Sequence, residues 1–292
     1  MSELINNNDK RVETLADIIK GLKEGEDNTA VKKKLAELVR TTTSEEIVAM
    51  EQKLISDGMS VGDIKGMCDL HSQVLGDMLT EKVEAQTTPG HPANTFHAEN
   101  MAIRKVAKEM RDLIGSVDDS NLTRKLPALR ELHEKLLEVE KHYARKENVL
   151  FPHLERHGVT GPSQVMWAKD DDIRVLLKSF RTAIAVDTLD FAAWSAGAKN
   201  IALEMLDQVE EMTNKEENIL LPISLKKLSA EEWARVHRDS LRFGYCLIEP
   251  GNEYVPPAGS EDIEPDHANL GAATAAIGIG SGTVTPEQLN AL

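Results

Sequence analysis

Apolar positions recur at helical spacing along most of the chain. Four long stretches of this pattern are separated by short connections. They cover about residues 93–115, 121–156, 162–186 and 189–228. Pro127 lies early in the second stretch, while Pro152 and Pro222 fall late in the second and fourth, where a proline bends or ends a helix. Because long helices with short connections pack as antiparallel neighbours, the pattern predicts an up-down four-helix bundle.

Shorter helical patterns precede the bundle and indicate a small helical domain over residues 1–85. They cover residues 15–22, 29–40, a segment that starts at the N-cap candidate Ser44 and stops at Gly58, and residues 61–79. A linker at 86–92 contains two prolines and a glycine, which break any helix. The bundle domain is then expected at 93–248.

The pattern changes again after the bundle. Residues 249–292 are rich in proline and glycine, and the stretch 271–282 lacks the large side chains that a core needs. We therefore predict an irregular tail. The last residues, Thr285–Leu292, are typical of the first turns of a helix, with Pro286 at its first position. This suggests a truncated chain or a docking segment.

Composition supports helices and narrows the classes of partner. The chain is 41% hydrophobic but only 4% aromatic, a balance that favours an all-α fold. A net charge of -15 disfavours nucleic acid as a partner, since phosphates would be repelled. No apolar run reaches the length of a membrane span, and the N-terminus has no apolar core of a signal peptide. The two cysteines form no CxxC pair, so a cytoplasmic protein is expected.

An internal repeat connects the second and fourth long helices. The second helix contains His142-Tyr-Ala-Arg-Lys-Glu147-Asn-Val-Leu-Phe-Pro152, and the fourth contains Met212-Thr-Asn-Lys-Glu-Glu217-Asn-Ile-Leu-Leu-Pro222. The two segments align without a gap. Two copies about 70 residues apart indicate a pseudo-symmetric bundle.

Each long helix also offers an acidic residue at a similar depth. The candidates are Glu99 on the first helix, Glu147 with His142 on the second, Asp170 or Asp171 on the third and Glu217 on the fourth. Glu147 lies about 140° around the helix from His142, within reach of one inward face. Facing carboxylates in a dry core need a neutralising cation or a proton. Carboxylates with one or two imidazoles suit iron or manganese better than zinc or copper. His91, in the linker, is a further ligand candidate if it folds over the end of the bundle.

These segments resemble the hemerythrin-like, or HHE cation-binding, superfamily. The two repeat copies look like its second- and fourth-helix motifs. Further likeness to one bacterial branch lies in the segments His91-Pro…Thr95-Phe…Glu99-Asn, Gly161-Pro…Val-Met-Trp167 and Gly244-Tyr-Cys-Leu-Ile248. That branch places a short helical domain before the bundle and often a PAS sensor domain after it. The resemblance implies an iron pair or a single iron that binds or senses O2 or NO, or that stores or delivers iron.

The sequence departs from the family pattern at several positions where relatives have metal ligands. Met212 stands where the fourth helix should bring a histidine, and Lys146 stands where many relatives carry a ligand glutamate. Asp170 and Asn100 also replace residues that are often histidines. These departures disfavour a reversible oxygen carrier and leave a carboxylate-rich site, or a bundle that has lost its metal.

The sequence therefore leads to one main hypothesis and two alternatives. The main one is a non-haem metal-binding protein, with iron (manganese or zinc as substitutes) bound by His142, Glu147 and Glu217, completed by Glu99 and Asp170 or Asp171. Its partners would be O2 or NO, a downstream PAS-type domain or a second copy in a homodimer. The first alternative is a metal-free helical scaffold or signalling module. The second is an enzyme such as a peroxidase or an iron-repair factor.

The basic residues of the repeat have two possible roles. We expect Arg145, Lys146 and Lys215 to form outer salt bridges. If they instead screen the acid cluster, they would argue for a site without metal.

Overall fold

The structure is a computed structural model, and it describes residues 12–14, 44–60, 62, 64, 87–185, 190–258, 277–279 and 282–284. The helices predicted at 15–22 and 29–40, most of that at 61–79 and the helix start at Thr285 lie outside the described residues. The chain divides into two compact units, Met1–Pro256 and Pro257–Leu292.

Four long helices dominate the first unit, and two of them consist of several segments. Helix α2 is Pro92–Gly115 and helix α4 is Gly161–Ile184. Helix α3 runs through Leu122–Leu136, Val139–Arg145, a π-helical turn at Lys146–Leu150, and Phe151–Arg156. Helix α5 runs through Phe191–Ala193, a π turn at Trp194–Ala198, Lys199–Lys215, a second π turn at Glu216–Leu220, and Leu221–Lys227.

These four helices close into a ring. Each packs on the next one in the sequence, and α5 returns to pack on α2, which is the up-down bundle arrangement. The apolar stripe of α2, with Ile103, Ala107, Met110 and Ile114, is fully buried, as a helix with one core-facing side requires. The predicted all-α, up-down four-helix bundle is confirmed.

Both copies of the repeat contain a π turn directly before the proline. Phe151 N donates to the carbonyl of Lys146 and Leu221 N donates to that of Glu216, five residues back in each case. Proline has no N–H to donate one turn back, so the helix loses a regular bond where Pro152 and Pro222 stand. Such turns inside α-helices are frequent at functional sites.

Two shorter helices pack on the bundle. Helix α1, Ser44–Ser56, ends before Gly58 as predicted and packs against α4 and the second half of α5. Helix α6, Ala230–Ser240, follows α5 and packs against α2 and the π turn of α3. Since α1 belongs to the same compact unit as the bundle, the structure draws no boundary between them, and the proposed domain limits stay predictions.

The segment that follows α6 contacts the linker before α2. The N–H groups of Glu253 and Tyr254 both donate to the carbonyl of Pro89, at 3.0 Å each. Gly90 has φ +92, and a Cβ there would lie 2.2 Å from the carbonyl oxygen of Gly251, so only glycine fits this crossing.

The second unit contains a short antiparallel hairpin where the sequence predicted an irregular tail. Strand β1, Ile277–Ile279, pairs with β2, Gly282–Val284, with Ile277 opposite Val284. Among the described residues, no helix is long and apolar enough to cross a membrane.

Candidate metal centre

His142 lies at the middle of the bundle and joins two helices through its ring. It is fully buried. Its Nδ1 lies 2.7 Å from Glu99 Oε2 on α2, and its Nε2 lies 2.7 Å from Glu216 Oε2 on α5. Burial opposes the charged ring, but the two carboxylates outweigh it and raise the pKa of His142 to about 9. The ring is therefore an imidazolium that donates from both nitrogens.

Lys146, one turn further along α3, neutralises the remaining carboxylates of the core. Its Nζ donates to Asp170 Oδ1 at 2.9 Å and to Glu216 Oε1 at 2.5 Å, and no part of its side chain is exposed. The ammonium also lies 4.4 Å from the ring centre of Tyr143. Although burial acts against it, Asp170 and Glu216 raise the pKa of Lys146, and the lysine stays charged.

The carboxylate of Glu216 is therefore shared by two cations. Burial would favour its neutral form, yet His142 and Lys146 lower the pKa of Glu216 to about 2. Asp170 behaves differently: burial, only partly offset by Lys146, raises the pKa of Asp170 well above its ordinary value. One of its oxygens, Oδ2, accepts no hydrogen bond within the described part of the chain.

Glu99 is enclosed by a second buried cation and by the segment after α6. Arg145 Nη1 donates to Glu99 Oε1 at 2.9 Å, and Arg145 Nη2 contacts Oε2. The guanidinium also donates to the carbonyl of Gly244 at 2.8 Å, and Cys246 N donates to Glu99 Oε1 at 2.7 Å. Burial opposes ionisation, but His142 and Arg145 outweigh it and lower the pKa of Glu99.

Glu217 lies in a separate polar cluster between α5 and α2. Its Oε2 is 2.8 Å from His97 Nδ1, and its Oε1 accepts a 2.8 Å bond from Asn100 Nδ2. Burial of all three side chains is nearly complete. Glu217 therefore does not join His142, although both were predicted ligands of one ion.

Glu147 on α3 and Asp171 on α4 both contact Arg174, but only Asp171 is exposed, whereas Glu147 is buried and its carboxyl also interacts with Asp170. Arg174 donates to both oxygens of Glu147 at 2.9 Å and to Asp171 Oδ1 at 2.8 Å. The 140° between His142 and Glu147 directs the two side chains to different neighbours. His142 and Glu147 therefore contact different partners in the structure, and their joint binding of one ion stays a prediction.

His91 is the N-cap of α2 and lies outside the core cluster. Its Nδ1 accepts the N–H of Ala93 at 3.2 Å, and its ring packs 4.9 Å from those of Trp233 and Tyr254. Burial and nearby His237 lower the pKa of His91 to about 4, so the ring is neutral.

Of the predicted site residues, the structure brings together His142, Glu99 and Asp170, the last through Lys146 and Glu216, and it places Glu147 beside Asp170. The expectation that Arg145, Lys146 and Lys215 form outer salt bridges was wrong, because all three are buried. Glu216 was the missed member. Its alignment with Lys146 in the repeat could have suggested that the two face each other.

These observations define an antiparallel four-helix-bundle protein with a buried group of carboxylates and one imidazole in its core. Residues 91–224 match the hemerythrin HHE cation-binding domain, which confirms the expected hemerythrin-like fold of this part of the chain. Residues 15–81 match a family of unknown function, DUF438. No curated protein matches the chain significantly.

The family binds cations, but the side chains as arranged do not fit a metal. Both nitrogens of His142 are already bound to carboxylates, and an ammonium lies between Asp170 and Glu216. A protonated imidazole has no lone pair to give, since a ligand histidine must be neutral. Within the described ranges, no three His, Cys, Asp or Glu side chains converge as a metal would require.

Proposed function

We propose that this chain is a hemerythrin-like helical module that carries its own cations, Lys146 and His142, where the family binds a metal. In this proposal the bundle acts as a scaffold or signalling module rather than as an oxygen carrier. The observation that carries it is the position of Lys146 Nζ between Asp170 and Glu216, with no exposed surface.

The buried acids of the core support the proposal because they are already paired. Three acidic side chains, Glu99, Asp170 and Glu216, face three cations, His142, Arg145 and Lys146. Buried carboxylates must be paired, and here side chains from α3 pair them without an added ion.

A metal would have to overcome this arrangement before it could bind. Because the pKa of His142 is about 9, removing its proton at neutral pH to free a ring nitrogen for a metal costs about 3 kcal/mol. The Lys146 ammonium would also have to leave two carboxylates for another partner. Both requirements lower the affinity for any ion.

A second candidate is favoured by the family match itself. In it the chain binds iron, in one or two ions, and handles O2, NO or the iron, with His142, Glu99, Glu216 and Asp170 as the available donors. It requires that Lys146 and the imidazolium proton leave the site.

Thermal unfolding in the presence of metal separates the two candidates. Ferrous iron, Mn2+ or Zn2+ would be added in turn at low oxygen to the wild type and to K146E. An ion that binds the native state stabilises it by about 2.7 kcal/mol at a hundredfold excess over Kd. We expect no shift for the wild type and a rise of several degrees for K146E, in which a carboxylate replaces the ammonium.

The matched control is K105E, which makes the same charge change at an exposed position of α2. It should respond to metal as the wild type does. A metal-dependent rise in the wild type would reject the self-compensated core and support the iron-binding candidate.

A further inference from the structure

One tryptophan is exposed on the outer face of α4. Trp167 keeps 43% of its surface accessible, whereas Trp194 and Trp233 are buried. Val175, two turns further along the same helix, is 64% exposed. A large exposed aromatic side chain is a feature of binding surfaces, because tryptophan is enriched among the residues that dominate interface energies.

Trp167 lines an open pocket of about 340 Å³ between the end of α3 and the start of α4. The other lining residues are Glu155, Ser163, Gln164, Ala168 and Asp171. This volume is at the lower end of the range for ligand pockets, which suits one long side chain.

Both charged residues of the pocket are acidic. Glu155 accepts a 2.7 Å hydrogen bond from Ser163 Oγ, and no described residue forms an ion pair with it. Asp171 shares Arg174 with Glu147 and keeps 63% of its side chain exposed. The face of an indole ring is also negative, so the pocket offers a π-face and two carboxylates to the same ligand.

We propose that this pocket docks an arginine or lysine side chain from a basic segment of a partner protein. A guanidinium or ammonium can lie on the Trp167 ring while it donates to Glu155 and Asp171, and a charge-assisted bond is stronger than a neutral one. The chain's net charge of -15 adds long-range attraction for a basic partner and repels phosphate-bearing ligands. The pocket is independent of whether the bundle core binds a metal.

The probe is a short capped peptide of alternating arginine and glycine, compared with the same peptide carrying glutamate. Binding would be measured by calorimetry and by the emission of the exposed Trp167. We expect the arginine peptide to bind and the glutamate peptide not to bind. The exposed substitutions E155Q and W167A should each weaken binding about tenfold or more, which is about 1.4 kcal/mol.

The matched control is Met101→Ala, which removes another exposed apolar side chain, 50% accessible, on α2. It should leave the affinity unchanged, and circular dichroism should show that all variants fold. Equal binding of both peptides, or unchanged binding to E155Q and W167A, would overturn the proposal. So would a wild-type dimer in gel filtration that W167A dissociates, because a second copy would then be the occupant.

Discussion

The two copies of the repeat share a backbone but carry different chemistry. Each has a π turn followed by proline, at Lys146–Leu150 in α3 and at Glu216–Leu220 in α5. The first residue of the turn is a lysine in one copy and a glutamate in the other, and these two residues bind each other in the core. Four residues earlier, α3 has His142 and α5 has Met212.

The second residue of each turn separates the copies further. Glu217 is enclosed by His97 and Asn100, while Glu147 faces Arg174 at the edge of the bundle. A pseudo-symmetric fold can thus keep its geometry while opposite charges on the two copies neutralise each other. The pairing of Lys146 with Glu216 is then the element that makes a metal unnecessary for charge balance.

The largest effect is expected from removal of the cation in the first copy. Lys146→Met leaves Asp170 and Glu216 buried without their shared ammonium, and loss of one partner of a buried pair costs about 3–5 kcal/mol. Urea unfolding measures this loss. The same substitution at exposed Lys105 should change stability by less than about 0.5 kcal/mol. A similar small change for both variants would show that the core charges are not coupled.

A pH titration tests the other cation of the first copy. The pKa of His142 is raised from 6.5 to about 9, so the folded state holds its proton more tightly than the unfolded chain. The stabilisation is complete below pH 6.5 and is lost as the pH rises towards 9, by about 3 kcal/mol. Unfolding measured at intervals across this window should show the loss in the wild type and much less of it in His142→Gln.

Glu216 contributes to stability with the opposite pH dependence, at acid pH. The pKa of Glu216 is lowered from 4.5 to about 2, so its contribution is present above pH 4.5 and is lost as the pH falls towards 2. In Glu216→Gln this part of the acid loss should be missing. If Glu216→Gln lost as much stability between pH 4.5 and 2 as the wild type, this loss could not be assigned to Glu216.

Substitutions at Glu217 and Glu147, the second residues of the two π turns, should cost less stability, and the two costs should differ. Glu217→Gln disturbs a closed buried cluster and should cost about 1–3 kcal/mol. Glu147→Gln leaves Arg174 with Glu140 and Asp171, so the cost should stay below about 1 kcal/mol. Paired urea curves test the ranking, and equal losses would mean that the two positions are equivalent.

Much of the fold follows from the sequence alone. Helical periodicity predicted α2 at 93–115 against the observed Pro92–Gly115, because a long amphipathic stripe has no other way to bury its apolar side. Helix α6 was missed, although Ser229 and Glu232 form a capping box that the sequence displays three residues apart.

The site was harder to predict for a physical reason. A lysine beside a core-facing position can turn outwards or inwards, since its long stem is compatible with both surroundings. The choice depends on Asp170 and Glu216, which come from other helices and have no fixed spacing from Lys146 in the sequence. Spacing alone therefore identified Glu99, His142 and Asp170. It missed Glu216 and the buried position of Arg145 and Lys146.

The most direct test of the central claim is the metal content of the wild-type protein. The chain would be produced with iron, manganese and zinc supplied, purified at low oxygen, and analysed for each element per chain. A core neutralised by Lys146 and His142 predicts far less than one ion per chain for every metal. About one or two ions per chain, lost in His142→Gln, would contradict it.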